Sequence, residues 1–251
     1  MACADTGLPA FGQRLDTLLG ADAILVGEQH DAPAHQRLEQ ALVEQAAARE
    51  RLAALVVEMA ERGASTAGLP REATPRQVQD ALRWDEAQWP WERYAGVVMA
   101  AVRQGVPVLG ANLPRAAVRN PMADPSRDAH LTGAALERQR EAIRLGHCDL
   151  LPPGQLQPML RVQLARDASM ASAIMAAQVP GKTVVLVAGG GHVLRDRGVP
   201  TSLPRTMHVR TVLAVAGPPS AHDALASDLV WQTPALPPQD DCAQLARQLQ
   251  R

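Results

Sequence analysis

Aromatic residues are scarce in this chain of 251 residues, which holds one Tyr, one Phe and four Trp. A core built on stacked rings is excluded, so Ala, Val, Leu and Met must fill most of the interior. Long apolar runs are missing as well: no stretch approaches the roughly 20 residues that a membrane-spanning helix needs. Charge of one sign is also missing. A formal net charge of −1 leaves no field to draw the chain onto nucleic acid or an anionic membrane. Arg greatly outnumbers Lys, so local clusters around anionic groups remain open. Cysteine is limited to three residues. Cys148 and Cys242 form an even pair, either a disulfide suited to an oxidising compartment or two separate buried thiols. No signal peptide is visible at the start. Ala2-Cys3 nevertheless has the form of a lipoprotein signal's last residue and its acylated cysteine, so Cys3 is either a lipid attachment site or a stray thiol.

What is present reads as one globular domain. Apolar residues make up 47% and charged residues 20%, enough for a sizeable core. We place that core at about residues 8–215 and a Pro-rich extension at 216–251. Leu8–Leu19 and Pro33–Arg49 have helical spacing, as do the stretch opened by Thr74-Pro75 and Trp91–Gln104. Thr132–Leu145 and Gln155–Gln178 read likewise, joined by a Pro152-Pro153 corner. Short apolar runs at Ala23–Val26, Leu52–Val57, Val106–Leu109, Lys182–Val187 and His208–Ala214 read as buried strands, with Asp228–Gln232 as a further edge strand. The alternation predicts an α/β fold: a mainly parallel sheet with helices on both faces and a helical insertion between the third and fourth core strands. Ligands of such sheets sit beyond the carboxyl ends of the strands.

Several reactive side chains fall at those ends. Glu28 and His30 follow the first strand, with His35 one turn into the next helix. Glu58-Met59 follows the second strand, and Gly189-Gly190-Gly191-His192 the fourth. Glu28, His30, Glu58 and His192 are expected to meet on one rim, as acid–base groups or metal ligands. Any one of them alone would more often be a hydrogen-bonded structural residue; four at three strand ends point to a site. The glycine run lacks the spacing of a nucleotide loop. Trp84–Tyr94 gathers three indoles and the only phenol, either as a packed corner or as a ligand wall. Tyr94 phenolate would suit ferric iron. Asn112 and Arg115 follow the third strand, where Arg115 is placed to pair with a ligand carboxylate.

The segments ILVGEQHDAPAHQ, VVEM, WPWERY, GANLPR, QLARDASMASAI and AGGGHVLRDRGVP occur in the order found in ChaN-like haem-binding proteins. RLGHCDLLPPGQL likewise resembles their envelope lipoproteins. The resemblance spans roughly Ile24–Pro204 and extends to the wider group of Tiki proteases and erythromycin esterases. Where the family's glycine motif carries Asn, this chain has Gly190. The resemblance implies non-covalent, ferric, b-type haem held at the rim, with a homodimer forming around it on the periplasmic side of the bacterial envelope. It also implies haem-uptake receptor or transporter components as partners, and no nucleic acid. It points to Glu28, His30, His35, Glu58 and His192 as the rim cluster. Tyr94 is the first candidate for the iron and His192 the second, with Trp91, Asn112 and Arg115 around the ligand. The alternative is a hydrolase using Glu28, His30, Glu58 and His192, with one His as base or with a divalent transition metal. Neither a Gly-x-Ser-x-Gly turn nor a His-Glu-x-x-His helix supports that alternative.

Overall fold

The computed structural model describes residues 15–249. Cys3 and most of the predicted Leu8–Leu19 helix lie outside them, although residues 15–18 are helical. The strands are β1 (Ala23–Glu28), β2 (Leu52–Glu61), β3 (Val108–Asn112), β4 (Thr183–Gly189), β5 (Val209–Ala216) and β6 (Leu229–Thr233). They form one sheet in the order β3-β2-β4-β1-β5-β6, with every neighbouring pair parallel. The main helices are α1 (Pro33–Ala48), α2 (Pro75–Leu82), α3 (Trp91–Arg103), α4 (Gly133–Gly146), α5 (Leu156–Ala176) and α6 (Asp241–Leu249).

Strand residues alternate between two cores, as a period of two demands. Ile24 and Val26 of β1 join Val185 and Val187 of β4 beneath α1, α2 and α3. Ala23 and Leu25 point the other way, with Val184, Leu186 and the α5 residues Met170 and Ile174. Both sheet faces are therefore buried, which is why β1 reads AILVGE without alternating polar residues. Thr74 and Gln77 cap α2 reciprocally. The segment between β3 and β4 is helical and contributes α4 and α5. Among the described residues no helix is long and apolar enough to cross a membrane.

Several boundaries differ from the sequence reading: β1, β4 and β5 each run two residues further, to Glu28, Gly189 and Ala216. β2 continues past Val57 to Glu61, its register with β3 shifting between Val57 and Glu61. Glu58 therefore belongs to the strand rather than to a loop after it. β3 begins at Val108 rather than Val106, since the Pro107 between them has no N–H to donate. β6 pairs with β5 as the edge strand, where the sequence reading expected one at 228–232 within the Pro-rich stretch.

A disulfide joins Cys148, just past α4, to Cys242 in α6, with 5.5 Å between their Cα atoms.

Candidate functional site

The carboxyl ends of β1, β2 and β4 bring two small networks together. Register places Glu28 of β1 opposite Gly189 of β4, and the Gly189 N–H donates to Glu58 Oε2 on β2 over 2.8 Å. In the first network His30 Nδ1 lies 2.8 Å from Glu28 Oε1. The Tyr94 hydroxyl donates to that same oxygen over 2.9 Å, and the Gln36 amide donates to Glu28 Oε2 over 2.6 Å. In the second network His192 Nδ1 lies 2.5 Å from Asp167 Oδ1, while its Nε2 faces Glu58 Oε1 at 3.5 Å. Glu58 joins the two, because His30 Nε2 stands 3.9 Å from its Oε2.

Burial sharpens these charges. It would lower the His192 imidazole, but Glu58 and Asp167 on either side outweigh it and raise the group to about 10. Burial would also raise Glu58; His192, His30 and the Gly189 N–H reverse this and hold it at about 2. Asp167 is raised by its burial despite His192. Burial and the Glu28 charge push the Tyr94 phenol far above its ordinary range, so it keeps its proton. Burial would lower His30, yet Glu28 and Glu58 leave it raised. Behind Glu28, burial and the Glu28 charge raise the fully buried Glu39 carboxyl well above its ordinary range.

Beside the cluster opens a cleft of about 610 Å³. Glu58, Met59, Trp89, Leu113 and Val118 line it, together with Asn112 and the arginines 83, 115 and 166. The Arg166 Nε is buried and unpartnered. Arg115 stands 3.6 Å from Asp85 and is largely exposed. His30 borders the cleft through Trp89, whose ring meets its own edge-on at 4.7 Å.

The structure brings together Glu28, His30, Glu58 and His192, and puts Asn112 and Arg115 in the cleft wall. Four expectations need correction. Tyr94 is fully buried and committed to Glu28, so its oxygen faces the protein and cannot reach an iron outside it. His192 is buried with Asp167 on Nδ1 and Glu58 facing Nε2, so neither nitrogen opens toward a ligand in the cleft. His35 is a structural residue: Nδ1 accepts from the Gln29 N–H and Nε2 meets the Thr233 hydroxyl at 3.0 Å. Trp91 packs edge-on against Trp84, and Trp89 takes the place in the cleft wall expected of it. Among the described residues no group of three or more His, Cys, Asp or Glu is arranged to hold a metal ion.

Sequence reasoning missed Asp167, Arg83 and Arg166. A signal for Asp167 was present: an acid at a fully buried position of α5, amid the small and apolar residues of ARDASMASAI. Arg83 and Arg166 have no such signal, since exposed and half-buried arginines are common on any helix.

The family described as haem-binding uptake, Tiki superfamily, ChaN matches residues 14–203. Among solved structures, one of cofacial heme binding to ChaN of Campylobacter jejuni aligns with a TM-score of 0.74 at 24% identity, covering 88% of this chain and 90% of that one. That likeness establishes the α/β fold. A type III effector aligns at 17% identity over 88% of this chain and 94% of its own, with a TM-score of 0.49. No curated protein matches the sequence.

Proposed function

Because this chain belongs to the haem-binding uptake family of the Tiki superfamily that includes ChaN, we propose that it carries haem in the cleft beside β2 and β3. The observation that carries this reading is the make-up of the wall. Met59, Trp89, Leu113 and Val118 offer apolar surface, while Arg83, Arg115 and Arg166 offer guanidinium groups at the same opening. A porphyrin is a flat apolar plate with two carboxylates on one edge, so it needs both. A carboxylate reaching Arg166 would satisfy its buried, unpartnered Nε. The volume falls within the usual ~300–1,000 Å³ of small-molecule sites.

Arg83, Ala87, Gln88 and Arg115 on the outer wall are exposed, so one porphyrin face is left for a second copy of the chain to cover. The haem is held without covalent attachment, in the ferric state, on the periplasmic side of the envelope. The Cys148–Cys242 bond supports an oxidising compartment. A receptor or transporter component would deliver or remove the cargo.

Titration of the haem-free protein with hemin tests this directly. A saturable change in the Soret band at one haem per protomer is expected, with a haem-dependent rise in mass to a dimer. Arg83→Ala together with Arg166→Ala should weaken binding by about 10-fold or more, the scale of a lost charged hydrogen bond. Hemin that leaves the spectrum unsaturated, or that binds the double variant equally well, sinks the proposal.

One observation favours a second reading. His30, with Nδ1 held by Glu28, has the orientation of a general base beside Glu58. Peptide or ester hydrolysis by the haem-free protein, lost in His30→Ala, would establish it.

A further inference from the structure

We infer that the chain binds a phosphoryl group at a second site, between α5 and the turn-rich segment after β3. The inference does not rest on haem. A cavity of about 300 Å³ opens there, next to the cleft proposed for haem, and Leu113 lines both. Its polar wall is Arg62 just past the end of β2, Asn120, Asp124 and Arg127 from the segment after β3, and Ser169 from α5. Ala165, Ala168 and Ser169 follow an i, i+3, i+4 spacing and so share one face of α5. Their small side chains leave the space open.

Three donors in this wall lack acceptors. Ser169 is only 4% exposed, and among the described residues nothing is bonded to its hydroxyl. A buried hydroxyl left in this state costs free energy until a ligand or water meets it. Arg127 Nε stands 3.3 Å from Asp124 Oδ2 but out of line for a hydrogen bond. No described residue is bonded to either Nη atom of Arg127 or to the guanidinium of Arg62. Asp124 is already committed: its Oδ1 accepts from the Ser126 N–H at 3.1 Å and from the Ser126 hydroxyl at 2.6 Å, while its Oδ2 faces Arg127. Asp124 therefore offsets Arg127 alone, and the charge of Arg62 stays uncompensated in the cavity wall.

The donors come from three separate parts of the fold, which favours a phosphoryl group over a carboxylate. One guanidinium satisfies a planar carboxylate fork to fork, whereas a tetrahedral group turns its oxygens in several directions. Arg127 and Ala168 also line a neighbouring cavity of about 440 Å³, together with His130, Leu164 and Ser202. The Ser202 hydroxyl there is buried and likewise without a partner among the described residues. Arg127 thus stands between two openings. A phosphoryl group on Arg62, Arg127 and Ser169 has room beyond Arg127 for a small organic remainder, so the same chemistry serves free phosphate and a phosphate monoester.

Phosphorus NMR on the full chain tests this, with inorganic phosphate and phenyl phosphate as probes. Saturable broadening of the phosphate resonance is expected. Arg62→Gln alters an exposed side chain and should weaken binding by about 10-fold or more, the scale of a lost charged hydrogen bond. Ser169→Ala removes one buried oxygen and should weaken it by about 2–10-fold. Tighter binding of phenyl phosphate assigns a monoester to the site, and tighter binding of phosphate assigns the free ion; either supports the inference. Benzoate that displaces phosphate at equal concentration overturns the phosphoryl assignment. Broadening that never saturates, or that is the same in Arg62→Gln and Ser169→Ala as in the wild type, overturns the site. Both variants should take up hemin as the wild type does, which keeps this test separate from that of the haem reading.

Discussion

His192 shows how little an isolated residue type says about its task. The same imidazole that titrates near neutrality in water is raised to about 10 between Glu58 and Asp167. A buried cation flanked by acids is an organising charge: it holds Glu58 at about 2, and Glu58 in turn accepts from the β4 backbone. The consequence for stability has a definite sign. The His192 contribution is complete below its unfolded value of 6.5 and is lost as pH rises through about 10. The Glu58 contribution is complete above 4.5 and is lost as pH falls through about 2. For the haem-free protein, this pair therefore favours the highest denaturation midpoint between pH 4.5 and 6.5. His192→Gln should flatten the decline on the alkaline side. Midpoints recorded across pH for both proteins check this, and an unaltered alkaline slope in the variant would refute the assignment.

At the scale of elements, the site depends on how closely the ends of β1 and β4 approach. Gly27 lies where a Cβ would overlap the Val193 side chain and sit 2.9 Å from the Gly190 Cα. Gly27→Ala should therefore destabilise the protein by about 1–3 kcal/mol through overpacking, and by more if the Gly190 backbone cannot shift. It should also displace the His192 turn and so disturb Glu58. The readout is the denaturant midpoint together with hemin affinity; a variant matching wild type in both would mean that this junction is soft. The elements themselves were largely visible beforehand. Pro33 opens α1, Thr74 caps α2, and the buried apolar runs became β1 to β5. The end of β2 was not visible, because Glu58 looks like a loop residue until its partners across the sheet are known.

At the scale of the whole molecule, both faces of the sheet are covered, and one covalent bond ties the C-terminal helix to the segment after α4. The bond spans a sequence separation of 94, for which the chain-entropy model gives about 4–5 kcal/mol as an upper value. Cys148→Ser, or reduction, should lower the unfolding midpoint by a substantial part of that amount. It should leave the hemin spectrum unchanged, since neither cysteine lines the cleft. Thiol counting under denaturing, non-reducing conditions provides the direct check; free thiols from Cys148 and Cys242 would contradict the bond.

Composition and periodicity were sufficient for an α/β chain with a parallel sheet, and strand-end positions were sufficient to bring Glu28, His30, Glu58 and His192 to one rim. Those properties follow from local spacing and from the direction in which parallel strands point, so a linear pattern encodes them. Which of these groups is available to a ligand follows from other things: the burial of each atom and the partner that reaches it from a distant part of the chain. Asp167 meets His192 from α5, and Tyr94 meets Glu28 from α3. Those encounters turned one imidazole into an internal cation and the sole phenol into a donor, while His30 keeps part of its side chain exposed at the rim. Packing in three dimensions made that distinction, because desolvation and charge pairing act through space and leave no mark on the spacing of residues along the chain.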